Sequence, residues 1–158
     1  MVAVFKAHEA SISTVDLAKG LKSDDVLAVL RPGLLKLGFE VEAGKSEQEK
    51  IPRPVTFGED AIPNLQYEID AYHPGWECGL EVEAGRAMLG NAVFRDLIQA
   101  CVMVGVEHLI LAVPNAYKYR GQGKPMMSKD YDKTIAVADA LYGHTRLAMP
   151  YNLTVVGY

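Results

Sequence analysis

The sequence predicts one α/β domain in which helices flank a mixed central β-sheet. Two observations support this prediction: helix and strand signals alternate along the chain, and the turn signal Pro74-Gly75 joins two strands near its middle. The 158 residues suit a single domain, and 49% apolar with 23% charged residues is the composition of a globular protein. This composition excludes a disordered chain, a collagen-like repeat and a disulfide-stabilised scaffold.

The N-terminal part of the chain predicts two helices. A short helix is expected near residues 14–22. A second helix begins at Ser23, a hydroxyl cap that two acids follow at the positive end of the helix dipole. Pro32 and Gly33 predict a kink in this helix, or its division into two short helices, and Gly38 ends it.

The middle of the chain predicts three strands and one long loop. Residues 39–43 form the first strand. Residues 44–64 are polar and contain three prolines, which predicts a loop, and long loops inside domains are often functional. Alternating residues predict a strand over 66–73, and the Pro-Gly turn makes residues 79–84 its antiparallel partner.

The C-terminal part of the chain predicts two helices and two strands. The elements are a long helix over residues 86–104, a buried strand over 108–113, a loop over 114–124, a helix over 129–142 capped by Ser128, and a strand over 153–157. Helices therefore precede the last two strands, as the prediction of a mixed sheet requires.

Acidic side chains alternate along the first strand of the predicted hairpin. Successive side chains of a strand point to opposite faces, so Asp70 shares a face with Glu68 and Tyr72. Ile69 and Ala71 then share the opposite, apolar face. The apolar neighbours indicate a strand packed into the core, with Asp70 in a half-buried setting.

The second strand of the hairpin carries Glu81 and Glu83 on one face and Leu80 and Val82 on the other. Pairing of the two strands allows Asp70, Glu81 and Glu83 to converge. Half-buried carboxylates this close raise each other's pKa, and a divalent cation removes the repulsion. Oxygen ligands suit Mg²⁺, Mn²⁺ or Ca²⁺ rather than zinc. Alternatively, both strands expose their polar faces to water, and the carboxylates are solvated and have no function. The motif Glu-x-Glu alone does not decide between the two, because it is common in proteins.

The order α-β-β-β-α-β over residues 23–113 resembles the restriction-endonuclease-like fold of the PD-(D/E)xK nuclease superfamily. Asp70 matches the acid on the family's second core strand, and Glu81 matches the acid on the third. Glu83 stands at the position that usually holds Lys, where some type II restriction enzymes carry Glu. Ile69 stands where the family often has Pro.

This resemblance implies a single nuclease-like domain over residues 1–158 that hydrolyses DNA phosphodiester bonds with Mg²⁺ or Mn²⁺. Its core is about residues 23–113, and a C-terminal helix and strand over 128–157 complete it. The implied catalytic acids and metal ligands are Asp70, Glu81 and Glu83. A metal held there polarises the scissile phosphate and lowers the pKa of its bound water. Glu83 could instead bind a second metal or act as the general base.

Arg86 follows the motif where the strand turns into the helix, and it is a candidate catalytic cation for the charge that develops on the phosphate. The alternative for this arginine is a surface ion pair with Glu83 or Glu81. On the same helix, Arg95 and Gln99 belong to a polar stripe. The stripe either meets the site or DNA, or is the solvent face of an amphipathic helix.

The loop over residues 114–124 is rich in cations and tyrosines and contains no acid. Cations contact phosphates and aromatic rings stack on bases, so we expect this loop to contact DNA. A solvated flexible loop is the alternative. The expected contacts are Lys118, Tyr119, Arg120 and Lys124.

Net charge bears on the partner that the chain would bind. The formal charge of −4 argues against a surface coated in bases for nucleic acid. Without Asp70, Glu81 and Glu83, however, seventeen acids face sixteen bases, a balance of −1. The acidity therefore does not exclude DNA as a partner.

Three further expectations concern the setting of the protein. The sequence lacks a signal peptide and any run of about 18 apolar residues, and its two cysteines have no metal-site spacing. We therefore expect a cytoplasmic protein with no membrane segment. A homodimer is expected if both strands of a duplex are cut.

Two other functions stay open at the level of sequence. A catalytically inactive nuclease-fold protein could act as a DNA- or protein-binding module, because Glu83 replaces the motif Lys and the chain is small and acidic. A small α/β protein unrelated to nucleases could bind a small ligand at the carboxyl ends of its strands.

Overall fold

The computed structural model describes residues 1–15, 20–85, 87–88 and 90–158. Its α-helices are α1 (Val2–Ala7), α2 (Glu9–Ile12), α3 (Ser23–Lys36), α4 (Ala92–Ala100) and α5 (Asp130–Gly143). Its strands are β1 (Glu40–Val41), β2 (Ile51–Phe57), β3 (Pro63–Ile69), β4 (Ala71–His73), β5 (Cys78–Val82), β6 (His108–Val113), β7 (Tyr117–Gly121), β8 (Lys124–Ser128) and β9 (Asn152–Gly157). Short 3₁₀ turns occupy Glu47–Glu49 and Pro74–Trp76.

The central sheet is mixed and has the strand order β1-β4-β5-β6-β9. Strands β1, β4 and β5 are antiparallel neighbours, whereas β5, β6 and β9 run parallel. The turn at Pro74–Trp76 joins β4 to β5, which confirms the predicted hairpin. Helices α4 and α5 lie between the parallel strands in the chain, because a parallel pair needs a long crossover. The predicted α/β class with a mixed sheet flanked by helices is confirmed.

Helices pack against both faces of this sheet. On β6, Leu109 and Leu111 belong to the core on the side of α4 and α5, whereas Ile110 belongs to the core on the side of α1, α2 and α3. On β5, Leu80 joins the core that contains α3. Glu81, the next residue, therefore faces α4 on the opposite side, where it is buried.

The strand predicted over residues 66–73 is two strands that meet at a bend at Asp70. Strand β3 pairs with β2 in a separate two-stranded sheet, whereas β4 pairs with β1 and β5. Ile69 consequently packs in the core beside α4, and Ala71 packs in the core beside α3. The prediction that these two side chains share a face is wrong, because the bend interrupts the two-residue period.

Both long loops predicted from the sequence contain β-hairpins. Within residues 44–64, strand β2 includes Pro52 and Pro54, which a strand with only one neighbour tolerates. Within residues 114–124, strand β7 turns into β8 through Gln122 and Gly123, whose φ angles are 51° and 77°. Positive φ at both positions suits a tight two-residue hairpin turn.

The helix boundaries also differ from the prediction. Helix α3 is continuous with Pro32 inside it, and Ser23 is its first residue rather than its cap. Gly38, with φ of 94°, follows its end as predicted. Helix α4 is shorter than the predicted span because Asn91, with φ of 58°, precedes it. Ser128 ends β8 and does not cap α5.

Of the helix expected near residues 14–22, residues 16–19 lie outside the described part of the chain, and residues 14, 15 and 20–22 are not helical. Of the helices that are described, none has the length and the apolar character of a membrane span. Both cysteines are free thiols; Cys78 is buried and Cys101 is half-buried.

Two neighbouring leucines of α3 test how the helix packs on the sheet. The side chain of Leu34 is completely buried, whereas Leu35 is 50% exposed. We expect Leu34→Ala to lower the free energy of unfolding by about 2–5 kcal/mol, because it leaves a cavity in the core. Leu35→Ala serves as the control, with an expected loss of about 0.5 kcal/mol or less. Urea unfolding measures both, and equal losses would contradict the packing described for α3.

Candidate active site

A cleft of about 490 Å³ lies between β3, β5 and α4. Its charged lining, among the described residues, consists of the acids Asp24, Glu42, Glu68, Asp70, Glu81 and Asp96 and the cations Lys50 and Arg95. The remaining lining is mostly polar and includes Gln99. The cleft therefore gathers many more acids than bases.

Asp70 and Glu81 lie next to each other at the floor of this cleft. Strand β4 pairs with β5 so that Ala71 is opposite Leu80, and one further step of this register sets Asp70 opposite Glu81. The carboxylate of Asp70 also accepts a hydrogen bond of 2.7 Å from the backbone N–H of Val82. This bond fixes the direction of the Asp70 side chain against β5.

Glu83 and Asp96 share one cation at the α4 side of the cleft. Arg95 donates from Nη2 to Glu83 Oε1 at 3.0 Å and from Nε to Asp96 Oδ1 at 2.9 Å. Asp96 is 1% exposed at its side chain, and its second oxygen, Oδ2, is buried without a hydrogen-bond partner. The backbone carbonyl of Glu83 is held in turn by the hydroxyl of Tyr158 at 2.7 Å.

Burial and mutual repulsion raise the pKa values of these carboxyl groups. Burial raises the pKa of Asp70 to about 7, against the hydrogen bond from Val82. Burial, and then the charge of Asp96, raise the pKa of Glu83 to about 8. The pKa of Glu81 also rises well above its ordinary value, first through burial and then through Asp70. The cluster therefore retains protons near neutral pH when no other cation is present.

The structure brings five of the sequence-predicted residues to this cluster. Asp70, Glu81 and Gln99 line the cleft, and Arg95 lines it while contacting Glu83. Arg95 thus contacts the carboxylates of the site, although more than half of its side chain is exposed. Arg86 lies outside the described residues.

The four expected DNA contacts lie on the β7–β8 hairpin instead. Lys118 donates from Nζ to the backbone carbonyl of Val15 at 2.8 Å, which ties the hairpin to the N-terminal segment. The ring of Tyr119 stacks on that of Tyr117 with centroids 5.4 Å apart. The side chains of Arg120 and Lys124 are exposed. None of these four residues is among the described residues that line the cleft.

Sequence reasoning did not name five charged residues of the cleft as site residues: Asp24, Glu42, Lys50, Glu68 and Asp96. Asp96 carried a signal, because it falls at helical spacing among Val93, Leu97 and Ala100, the buried face of α4. Glu42 and Lys50 carried no sequence signal of their place in the cleft, because strand pairing between distant parts of the chain brings each of them there. The N–H of Glu42 donates to the carbonyl of Asp70 at 2.9 Å, beside the β1–β4 pairing.

The donor chemistry of this cluster fits a hard divalent cation, because carboxylate oxygens are its preferred ligands and Asp96 Oδ2 is buried and unsatisfied. In the present arrangement, however, no three His, Cys, Asp or Glu side chains of residues 1–15, 20–85, 87–88 and 90–158 are disposed to hold a metal ion. Arg95 forms ion pairs with two of the acids, Glu83 and Asp96.

Comparison with protein-family models, with curated proteins and with solved structures gives no match.

The raised pKa of Asp70 predicts a dependence of stability on pH. Because its pKa is about 7 in the folded state and lies near 3.8 without burial, protonation favours the folded state. This contribution is complete below pH 4 and is lost as the pH rises through 7. We therefore expect Asp70→Asn to gain stability over the native chain by about 3–4 kcal/mol between pH 4 and pH 8.

Chemical unfolding in metal-free buffer at several pH values measures this difference. Asp139→Asn, at an exposed position of α5, is the matched control, with a constant difference across the range. A difference for Asp70→Asn that is equally constant would contradict the burial of the Asp70 carboxyl group.

Proposed function

We propose that this protein is a metal-dependent nuclease that hydrolyses DNA phosphodiester bonds, with Asp70 and Glu81 as its principal acids. One observation carries the proposal: the β4–β5 register sets these two acids side by side at a cleft that is closed from the other side by α4. Buried acids weaken a fold unless something compensates their charge, so a cluster of them indicates a functional site.

The order of elements gives further support. The chain α3-β1-β4-β5-α4-β6 makes an antiparallel three-strand unit followed by a parallel fourth strand, with β2 and β3 inserted before β4. This order agrees with the α-β-β-β-α-β core of the restriction-endonuclease-like fold, to which we assign the domain in this proposal. Asp70 then directly precedes the second core strand, and Glu81 lies on the third.

The chain's own residues prepare the site in three ways. Glu81 and Asp70 offer carboxylate oxygens whose protons a divalent cation must displace, since their pKa values are raised by burial. The N–H of Val82 keeps Asp70 directed into the cleft. Glu83 and Asp96 are held by Arg95, whose side chain is more than half exposed; a divalent cation bound by these acids would leave Arg95 to contact a phosphate. A bound Mg²⁺ or Mn²⁺ would polarise the phosphate and activate water.

DNA would approach across the β7–β8 hairpin in this proposal. Its exposed cations, Arg120 and Lys124, suit phosphates, and its tyrosines suit bases. One site per chain cuts one strand at a time, so cleavage of both strands favours a homodimer.

A second candidate is a catalytically inactive module of the same fold that binds DNA or protein. It is favoured by the ion pairs of Arg95, which already engage Glu83 and Asp96 without a metal. The two candidates differ in whether the acids must bind an ion.

Plasmid cleavage tests the nuclease directly. We expect the native chain to nick supercoiled plasmid with Mg²⁺ or Mn²⁺, and Asp70→Asn and Glu81→Gln to lower the rate by about 100-fold or more, since each removes a charge that holds the ion. Glu107→Gln, an exposed acid ahead of β6, is the control and should keep its rate within about twofold.

Calorimetric titration with Mn²⁺ separates the two candidate functions. An active nuclease binds Mn²⁺ with a heat that Glu81→Gln abolishes. The absence of nicking with every metal, together with a heat that Glu81→Gln leaves unchanged, would rule out the nuclease and favour the binding module.

The hairpin gives a separate prediction about DNA binding. Each lost phosphate contact should lower the slope of log affinity against log salt by about 0.9, so Arg120→Gln with Lys124→Gln should reduce it by about 2. Lys36→Gln, at an exposed position near the end of α3, is the control. Fluorescence anisotropy with a labelled duplex measures the slope, and a slope equal to that of the native chain would exclude the hairpin from the DNA contact.

A further inference from the structure

Lys50 enters the cleft from a backbone that is fixed on both sides. Before it, the turn Glu47–Glu49 is closed by a capping box in which Ser46 Oγ donates to Glu49 Oε2 at 2.6 Å. After it, Ile51 pairs with Ile69 in the β2–β3 hairpin. One further step of this register sets Lys50 opposite Asp70. Strand pairing therefore brings a lysine to Asp70, the acid that directly precedes β4.

The side chain of Lys50 is held inside the cleft by two acids. Its Nζ lies 2.9 Å from Glu42 Oε1 and 3.3 Å from Glu68 Oε2. It is 21% exposed, whereas the nearby Lys45 is 86% exposed. The hydrogen bond to Glu42 raises the pKa of Lys50, so its ammonium group stays charged.

A phosphodiester that binds in this acidic cleft needs a cation close to it. A phosphodiester adds a negative charge to a lining that already holds six described acids. An ammonium group has three donors, and the bonds to Glu42 and Glu68 use two of them, so one is left for a phosphate oxygen. The acid that exchanges most readily is Glu68, whose side chain is 61% exposed.

Arg95 and Lys50 are the two described cations that line the cleft, and they differ in what holds them. Arg95 bridges Glu83 and Asp96, and both of these acids are largely buried. Lys50 has one shielded partner and one exposed partner. Lys50 therefore loses less ion-pair stabilisation than Arg95 does when its side chain turns toward a substrate.

We propose that Lys50 contacts the scissile phosphate and supplies positive charge to it from the β2–β3 hairpin. The inference rests on the proposed nuclease function and deepens it, since it names a phosphate-binding residue of the same cleft. The cation comes from the β2–β3 hairpin, while the motif position keeps an acid, Glu83, that pairs with Arg95.

The test compares Lys50→Gln with Lys50→Arg. We expect Lys50→Gln to lower the slope of log duplex affinity against log salt by about 0.9, measured with Ca²⁺ and duplex shown by gel to be intact. Its nicking rate with Mg²⁺ should fall by about 100-fold or more, while its heat of Mn²⁺ binding persists. Lys50→Arg keeps the charge, so it should keep the slope and lose less than about tenfold in rate.

Lys129→Gln is the matched control, because Lys129 also pairs with an acid, Asp132 at 3.6 Å, and does not line the cleft. A Lys50→Gln variant with the native slope and the native rate would overturn the inference and leave the nuclease standing. Loss of Mn²⁺ binding in both Lys50 variants would overturn it too, since Lys50 would then only hold Glu42 in place.

A second variant keeps the inference falsifiable if Lys50→Gln fails to fold. Glu68→Gln removes the exposed partner and leaves Lys50 free to contact phosphate, so duplex affinity should rise by about threefold or more over Glu59→Gln, an exposed acid of the same hairpin. Equal affinities of these two variants would overturn the inference. No nicking by the native chain would overturn the nuclease and with it a scissile phosphate, whereas the salt slope of Lys50→Gln would still report separately whether Lys50 contacts a phosphate of the duplex.

Discussion

The bend at Asp70 determines where the charged residues of the cleft meet. The chain leaves the β2–β3 hairpin at Ile69 and joins the central sheet at Ala71, so Asp70 belongs to neither ladder. Three pairings end at this residue: β1 with β4, β2 with β3, and β4 with β5. Extending each pairing by one residue sets a charged residue opposite Asp70: Glu42 for β1–β4, Lys50 for β2–β3 and Glu81 for β4–β5. A single change of sheet thus assembles the cleft, and the hydrogen bond from Val82 holds its centre in place.

The cluster is maintained against an electrostatic cost. Removing a carboxylate from water costs on the order of several kcal/mol unless a partner or a proton compensates. Arg95 compensates Asp96, and retained protons compensate Asp70, Glu81 and Glu83, whose pKa values are raised by burial. Packing alone would favour apolar residues at such positions on β5 and α4, because their neighbours are Leu80, Val82 and Leu97. The acids therefore weaken the local structure, which is the pattern expected of a functional site.

The sequence predicted the residues whose placement depends on local periodicity. Alternation on β5 was enough to set Glu81 opposite Leu80 and Val82, and the Pro-Gly turn was enough to pair β4 with β5. Prediction from the sequence failed where pairing between distant strands overrides the local signals. Pro52 and Pro54 concealed β2, so nothing indicated that Lys50 would reach Asp70. Asp96 was overlooked because its neighbours Arg95 and Gln99 form the more visible polar stripe, although its spacing from Val93 and Ala100 put it on the buried face. Alternation also failed at Asp70 itself, since the bend changes the face on which Ile69 packs.

The balance of charges in the cleft couples its two proposed ligands. Six described acids and two cations give the lining a net negative charge, which repels DNA until protons or a metal ion neutralise part of it. A divalent cation there would lower this repulsion, and the phosphate would in turn contribute oxygens that favour the cation. By linkage, each ligand then strengthens the binding of the other by the same factor. In the proposed function, the acidity that argues against nucleic acid at the level of the whole chain would make DNA binding at this cleft depend on the ion, and Lys50 and Arg95 would supply positive charge from its two sides.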